Sequence, residues 1–161
     1  MHIFRVVAIN IVLSTIVILI AYTAFLLDRI LSLRLPEVVT PAAWPLLLIG
    51  TSSILWAVVT LARYSGATGA PGDPTKKLVT VGPFARARNP IYGGDAIILL
   101  GLAFLVRSPF MLVYDILYVL AIDKYVRMVE EPALERRFGE EYARYRLPVP
   151  RWVPRLSIRI G

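Results

Sequence analysis

The chain has 161 residues, 57% of them hydrophobic and 18% charged, with a net charge of +7, so most of it must bury apolar surface in a bilayer or in one modest core. It contains no cysteine, which excludes disulfides, thiolate nucleophiles and cysteine zinc sites together, and its single histidine, His2, is terminal. The basic residues flank apolar stretches and form no recognition module, so nucleic acid is set aside as a partner and anionic membrane lipids are the expected counter-charge.

Two stretches, Val6 to Leu27 and Pro41 to Ala62, each run 22 residues without a charge, long enough to cross about 30 Å of hydrocarbon. The first exceeds the apolar core of a signal peptide, has no convincing small-residue cleavage site behind it, and reads as a retained anchor. Residues 63–91 then replace the apolar run with Gly, Pro, Thr and basic residues, an aqueous loop or one folded over the membrane face. Hydrophobicity returns to Val106, breaks at Arg107 to Pro109 and resumes from Phe110 to about Val126, which predicts a tight helical hairpin. Its first arm, 92–106, spans only about 22 Å at 1.5 Å per residue. Pro132 suits a helix's first turn and not its interior, which predicts a break there and a new amphipathic helix over 132–146. Leu134, Phe138, Tyr142 and Tyr145 fall on one face of it.

The expected fold is therefore all-α: a polytopic membrane protein of about four transmembrane helices (6–27, 41–62, 92–106, 110–126) in one domain over 1–161, with a C-terminal amphipathic helix. Under this topology 15 Lys and Arg lie on one side and only Arg29, Arg34 and Arg107 on the other. The positive-inside rule then places both termini and the central loop in the cytoplasm.

Two polar regions on that side attract chemistry. The first, "GPFARARNPIYGG" from Gly82 to Gly94, can aim backbone N–H groups and the guanidinium forks of Arg86 and Arg88 at a ligand carboxylate, while its glycines permit close approach. Headgroup binding and a proline-started helix account for the same residues. The second is "EEPALERRFGEEYARYRLPVPRWVP" from Glu130 to Pro154, with Arg127 three and four residues before the two glutamates. A salt bridge at the helix exit is the plain alternative there.

Together these blocks resemble the isoprenylcysteine carboxyl methyltransferase family and its phospholipid N-methyltransferase relatives. The shared pattern is a Gly-Pro-aromatic turn, an Arg-His/Asn-Pro-x-Tyr-x-Gly box, Glu-Glu, Phe-Gly-x-x-Tyr and a closing Val-Pro-Arg, all present in order from Thr80 to Pro154, about half the chain. The resemblance implies an integral-membrane enzyme that binds S-adenosylmethionine without a Rossmann domain and methylates a lipidic acceptor, foremost the carboxyl group of an isoprenylcysteine-like substrate, with a phospholipid amino headgroup as the alternative. In agreement, "GATGAPG" (66–72) follows no predicted strand and is a poor dinucleotide fingerprint. Cofactor contacts carry over to Val81, Gly82 and Phe84, to Arg88, Asn89, Pro90, Ile91 and Tyr92, and to Glu130 and Glu131. Arg127 stands one place beyond the family's usual substrate-binding arginine. Where many relatives have His, this chain has Asn89, which cannot carry a proton near neutral pH.

Methyl transfer from a sulfonium requires positioning and exclusion of water, with no metal and no covalent intermediate. Arg127 and Glu130 are the expected catalytic pair: Glu130 on the cofactor's ammonium or ribose hydroxyls, Arg127 on a carboxylate acceptor. An amine acceptor instead requires a carboxylate to remove a proton, which draws in Asp95 and Asp115, each with a structural alternative as helix cap or bundle pair. Tyr22, Trp44 and Trp56 either line the lipid route or anchor the interface. A non-enzymatic lipid-binding subunit fits the composition alone.

Overall fold

A computed structural model describes residues 19–20, 22–65 and 77–154, and every regular element among them is helical. Helix α1 covers residues 22–31. A 3-10 turn at Glu37–Val39 opens α2 (Thr40–Tyr64), followed by a second 3-10 turn at Gly82–Ala85 and the pair α3 (Pro90–Val106) and α4 (Pro109–Tyr125). A π turn at Val126–Glu130 leads into α5 (Glu131–Phe138) and α6 (Glu140–Arg146). Most of the predicted first span and part of the central loop, 66–76, lie outside the described residues.

The helical run Glu37–Tyr64, 28 residues, is the one helix among the described residues that is long and apolar enough to cross a membrane. Only 22% of its most apolar window is buried, and Trp44, Leu48 and Leu55 point outward. An apolar helix with so little protein cover suits lipid better than a soluble core. Helices α3 and α4 have 17 residues each, about 25 Å of rise, short of the hydrocarbon thickness. Helix α3 starts two residues earlier than predicted because Pro90 fits the first turn, where its missing N–H is not needed.

Backbone contact between α2 and α3 rests on glycine. A Cβ on Gly50 would lie 2.8 Å from the Gly94 carbonyl oxygen, and one on Gly94 would lie 3.0 Å from that of Gly50. The expected tight hairpin forms at Arg107, whose backbone is left-handed (φ 59°). Its Nε donates to the Leu35 carbonyl at 2.8 Å and its guanidinium pairs with Glu37, while Ser108 caps α4 by accepting from the Met111 N–H at 3.0 Å. Ala24, Ala103 and Met111 form a small core where α1, α3 and α4 meet.

The C-terminal helix departs from expectation. The chain does not break at Pro132: α4 continues through the π turn into α5. A proline ring clashes with the carbonyl four residues before it, here that of Met128, and the wider π winding over 126–130 is where that strain is absorbed. The break falls instead at Gly139, whose φ of 52° separates α5 from α6, so the single helix predicted over 132–146 is two.

Candidate functional site

The central loop seats on the end of α2. Gly82 is left-handed (φ 62°), and a Cβ there would stand 3.0 Å from Thr60 Oγ1, so both backbone and space call for glycine. Arg86 lies over the Trp56 ring at 5.6 Å. Two residues on, the chain meets its own C-terminal segment: the Arg88 N–H donates to the Pro150 carbonyl at 2.9 Å, and the Asn89 N–H and Nδ2 both donate to that of Arg151, at 3.3 and 3.2 Å. The Tyr145 hydroxyl donates to the Phe84 carbonyl at 2.7 Å, and the Ser53 hydroxyl to that of Pro90 at 3.3 Å. The two motif blocks, some forty residues apart in sequence, thus form one assembly at the end of the bundle opposite Arg107.

Glu131 is the knot of that assembly. It accepts two hydrogen bonds from Arg151, at 2.7 and 2.8 Å, and an ion pair from Arg88 at 3.0 Å; Arg88 also donates to the Tyr142 hydroxyl at 3.3 Å. Burial alone would raise the Glu131 carboxyl, but the Arg151 hydrogen bonds and the Arg88 charge hold it below the usual glutamate range. Glu130 is its opposite. Burial pushes its carboxyl up, the Tyr92 hydroxyl partly offsets this, and the neighbouring Glu131 charge pushes further up. Its Oε2 is buried and meets no donor, and the Nε of Arg88 is likewise buried without an acceptor.

The other expected residues are dispersed. Val81 is half-exposed beside the 3-10 turn. Asn89, buried, precedes α3 and spends its amide on the C-terminal segment, while Pro90, Ile91 and Tyr92 form the first turn of α3. Arg127 is exposed and reaches back to Asp123 at 2.7 Å, not forward to either glutamate. Asp95 is no helix cap: it accepts from the Tyr118 hydroxyl at 3.2 Å across the hairpin. Asp115 is buried, with Oδ1 unpartnered. Tyr22 and Trp44 are exposed.

Arg151, Tyr142, Asp123 and Trp152 were not among the expected site residues. Trp152 Nε1 donates to Asp123 at 2.8 Å, fastening the segment that carries Arg151. The closing Val-Pro-Arg was the available signal for Arg151, and the aromatic stripe for Tyr142. Nothing local marks Asp123, whose role depends on a residue 29 positions away.

Residues 39–141, nearly two thirds of the chain, match the phospholipid methyltransferase family. The chain belongs to that family. Its members are membrane methyltransferases acting on lipid, and they generally use S-adenosylmethionine. The match runs from the start of α2 into α6, taking in the Asn89–Tyr92 box and both glutamates; it does not single out the isoprenylcysteine branch. Among curated proteins and solved structures no match is found. The residues present fit the family's cofactor: an unsatisfied carboxylate oxygen on Glu130 and an unsatisfied donor on Arg88 are what the ammonium and carboxylate of a bound amino acid require.

Proposed function

We propose that this protein is an integral-membrane methyltransferase, one domain over 1–161, that transfers a methyl group from S-adenosylmethionine to a lipidic acceptor. In this reading the spans 6–27, 41–62, 92–106 and 110–126 cross the bilayer, and both termini and the cofactor loop face the cytoplasm. The observation that carries it is Glu130 Oε2, a buried anionic oxygen with no protein donor, at the junction of the two motif blocks. A buried carboxylate oxygen without a donor is costly, and a cationic ligand would supply what is missing.

When bound, the cofactor supplies a methyl group already activated on a sulfonium, so the chain has to position and enclose the reactants. Glu130 would accept from the ammonium; Arg88 Nε and the N–H groups of Ile91 and Tyr92, in the first turn of α3, would face the carboxylate; Val81, Gly82 and Phe84 would enclose the adenine. Glu131 acts at one remove, fixing the box to the C-terminal segment.

Of the two acceptor classes, the amino headgroup of a phospholipid is favoured. A carboxylate acceptor, as in isoprenylcysteine, requires a cation at the reacting end, yet Arg127 is exposed on Asp123 while Arg88 and Arg151 are engaged by Glu131. The support for the isoprenylcysteine reading is the order of motifs from Gly82 to the closing Val-Pro-Arg. Purified protein given radiolabelled donor and a mixed lipid and prenylcysteine pool decides between them: base-stable N-methyl lipid is expected, and label in a base-labile ester reverses the assignment. Absence of S-adenosylmethionine binding in detergent would return the protein to a lipid-binding role.

A further inference from the structure

A polar seam crosses the largely apolar α3–α4 hairpin. Tyr118 on α4 donates to Asp95 Oδ2 on α3 at 3.2 Å. Tyr92, three residues before Asp95, lies within electrostatic reach of Asp95, Glu130 and Tyr118. Asp115, three residues before Tyr118, has only 9% of its surface exposed, and its Oδ1 meets no donor. Residues three apart share a helix face, so the seam runs from Tyr92, beside Glu130, through Asp95 and Tyr118 to Asp115, two steps of three residues or about 9 Å along the helix axes at 1.5 Å per residue.

Three carboxyl groups on this seam have no basic partner: among the described residues no Lys or Arg pairs with Glu130, Asp95 or Asp115. Acids inside an apolar hairpin are expensive unless something supplies positive charge and donors. Glu130 is used by the cofactor site proposed above; Asp95 and Asp115 are not. A primary ammonium brings one positive charge and three N–H donors to carboxyl groups that have no donors beyond tyrosine hydroxyls.

We propose that Asp95, held by Tyr118, seats the primary ammonium of the acceptor lipid and removes its proton; this rests on the amino-lipid reading above. Asp95 accepts one proton from the ammonium. The nitrogen lone pair so freed forms the new N–C bond as the methyl's bond to sulfur breaks, with that electron pair left on sulfur. Charge balances, because the carboxylate is neutralised, the sulfonium becomes a thioether and the product is an N-methylammonium. Asp95 then returns its proton to water as the product leaves. Tyr92, between Glu130 and Asp95, separates the donor seat from the acceptor seat.

The test uses full-length protein in detergent, with Asp95→Asn and Tyr118→Phe. Asp95→Asn is expected to bind S-adenosylmethionine within about twofold of the parent, while N-methylation of phosphatidylethanolamine falls by about a hundredfold or more, the scale of a lost general base. Tyr118→Phe, missing one hydrogen bond to a carboxylate, is expected to raise KM for that lipid about tenfold. By calorimetry the parent should bind dodecylphosphoethanolamine and not dodecylphosphoglycerol, and Asp95→Asn neither; free phosphoethanolamine tells whether the ammonium suffices without its chain. Parent-like methylation, or retained binding of the amine lipid, by Asp95→Asn would overturn the proposal. Should that variant fail to fold, as loss of cofactor binding would reveal, an unchanged KM in Tyr118→Phe overturns it. Failure of the parent itself to bind the cofactor defeats the proposed function instead.

Discussion

Glu130 and Glu131 are adjacent in sequence, identical in type and opposite in circumstance, so replacing each by Gln separates binding from architecture. Glu130→Gln removes a charge that no cation among the described residues pairs with. The loss is one charge-assisted contact to ligand, about 1.5–3 kcal/mol, or roughly 10- to 100-fold in cofactor affinity, with the thermal midpoint of the free protein unchanged or slightly higher. Glu131→Gln leaves Arg88 and Arg151 facing a neutral group. The side chains of Arg88, Glu131 and Arg151 are only 11%, 13% and 22% exposed, which places the cost near the lower end of the about 3–5 kcal/mol for breaking a buried pair. The thermal midpoint should then fall by roughly 6–12 °C for a chain of this size. Calorimetric titration with S-adenosylmethionine and thermal melts in one detergent measure both quantities. A Glu131→Gln variant that melts like the parent but loses cofactor affinity, beside a Glu130→Gln variant that does the reverse, would refute the division of roles.

Acidity should separate the same two groups. Glu130 is raised by burial, so cofactor affinity should begin to fall on acidification above the ordinary glutamate range near about pH 4.3, and Glu130→Gln should flatten that dependence in a binding titration. The sign for stability differs between them: the raised Glu130 contributes stability below its ordinary pKa that is lost as pH rises through its folded value. Glu131, held low by Arg151 and Arg88, contributes stability above its ordinary pKa that is lost as pH falls through its lowered folded value. Gly50→Ala should lower the melting temperature by the equivalent of about 1–3 kcal/mol, because the new Cβ meets the Gly94 carbonyl oxygen at 2.8 Å and backbone cannot step aside as a side chain would. Arg127→Ala should leave cofactor affinity within about twofold and cost under about 1 kcal/mol, as an exposed pair does; a large rise in KM for a carboxylate acceptor would restore its expected substrate role.

Period and punctuation made the helices readable in the sequence: an uncharged run marked α2, apolar runs marked α3 and α4, and "RSP" marked the hairpin. Local rules failed where the outcome depends on contact. Pro132 predicts a break, but a π turn a few residues earlier accommodates it, and the actual break waits for Gly139. Arg127 satisfies the spacing rule for Glu130 and Glu131, yet Asp123 stands four residues behind it and Glu131 already has closer claimants. Those claimants, Arg88 and Arg151, lie 43 and 20 positions from Glu131, distances over which only the fold decides who meets whom.

Successive residues on a helix project about 100° apart, so two neighbouring glutamates cannot both face one cavity. One must turn toward the C-terminal segment and the other toward the hairpin seam. If both remained unpaired at the mouth, their mutual repulsion would favour protonation of one and blunt its attraction for a cation. Engaging Glu131 with two guanidinium groups keeps it ionised and fully occupied. The attraction for a cationic ligand then concentrates on Glu130, whose second oxygen has no rival donor. On this argument Arg151 would sharpen the proposed site without touching a ligand: by neutralising Glu131, it would leave Glu130 as the carboxylate available to the cofactor.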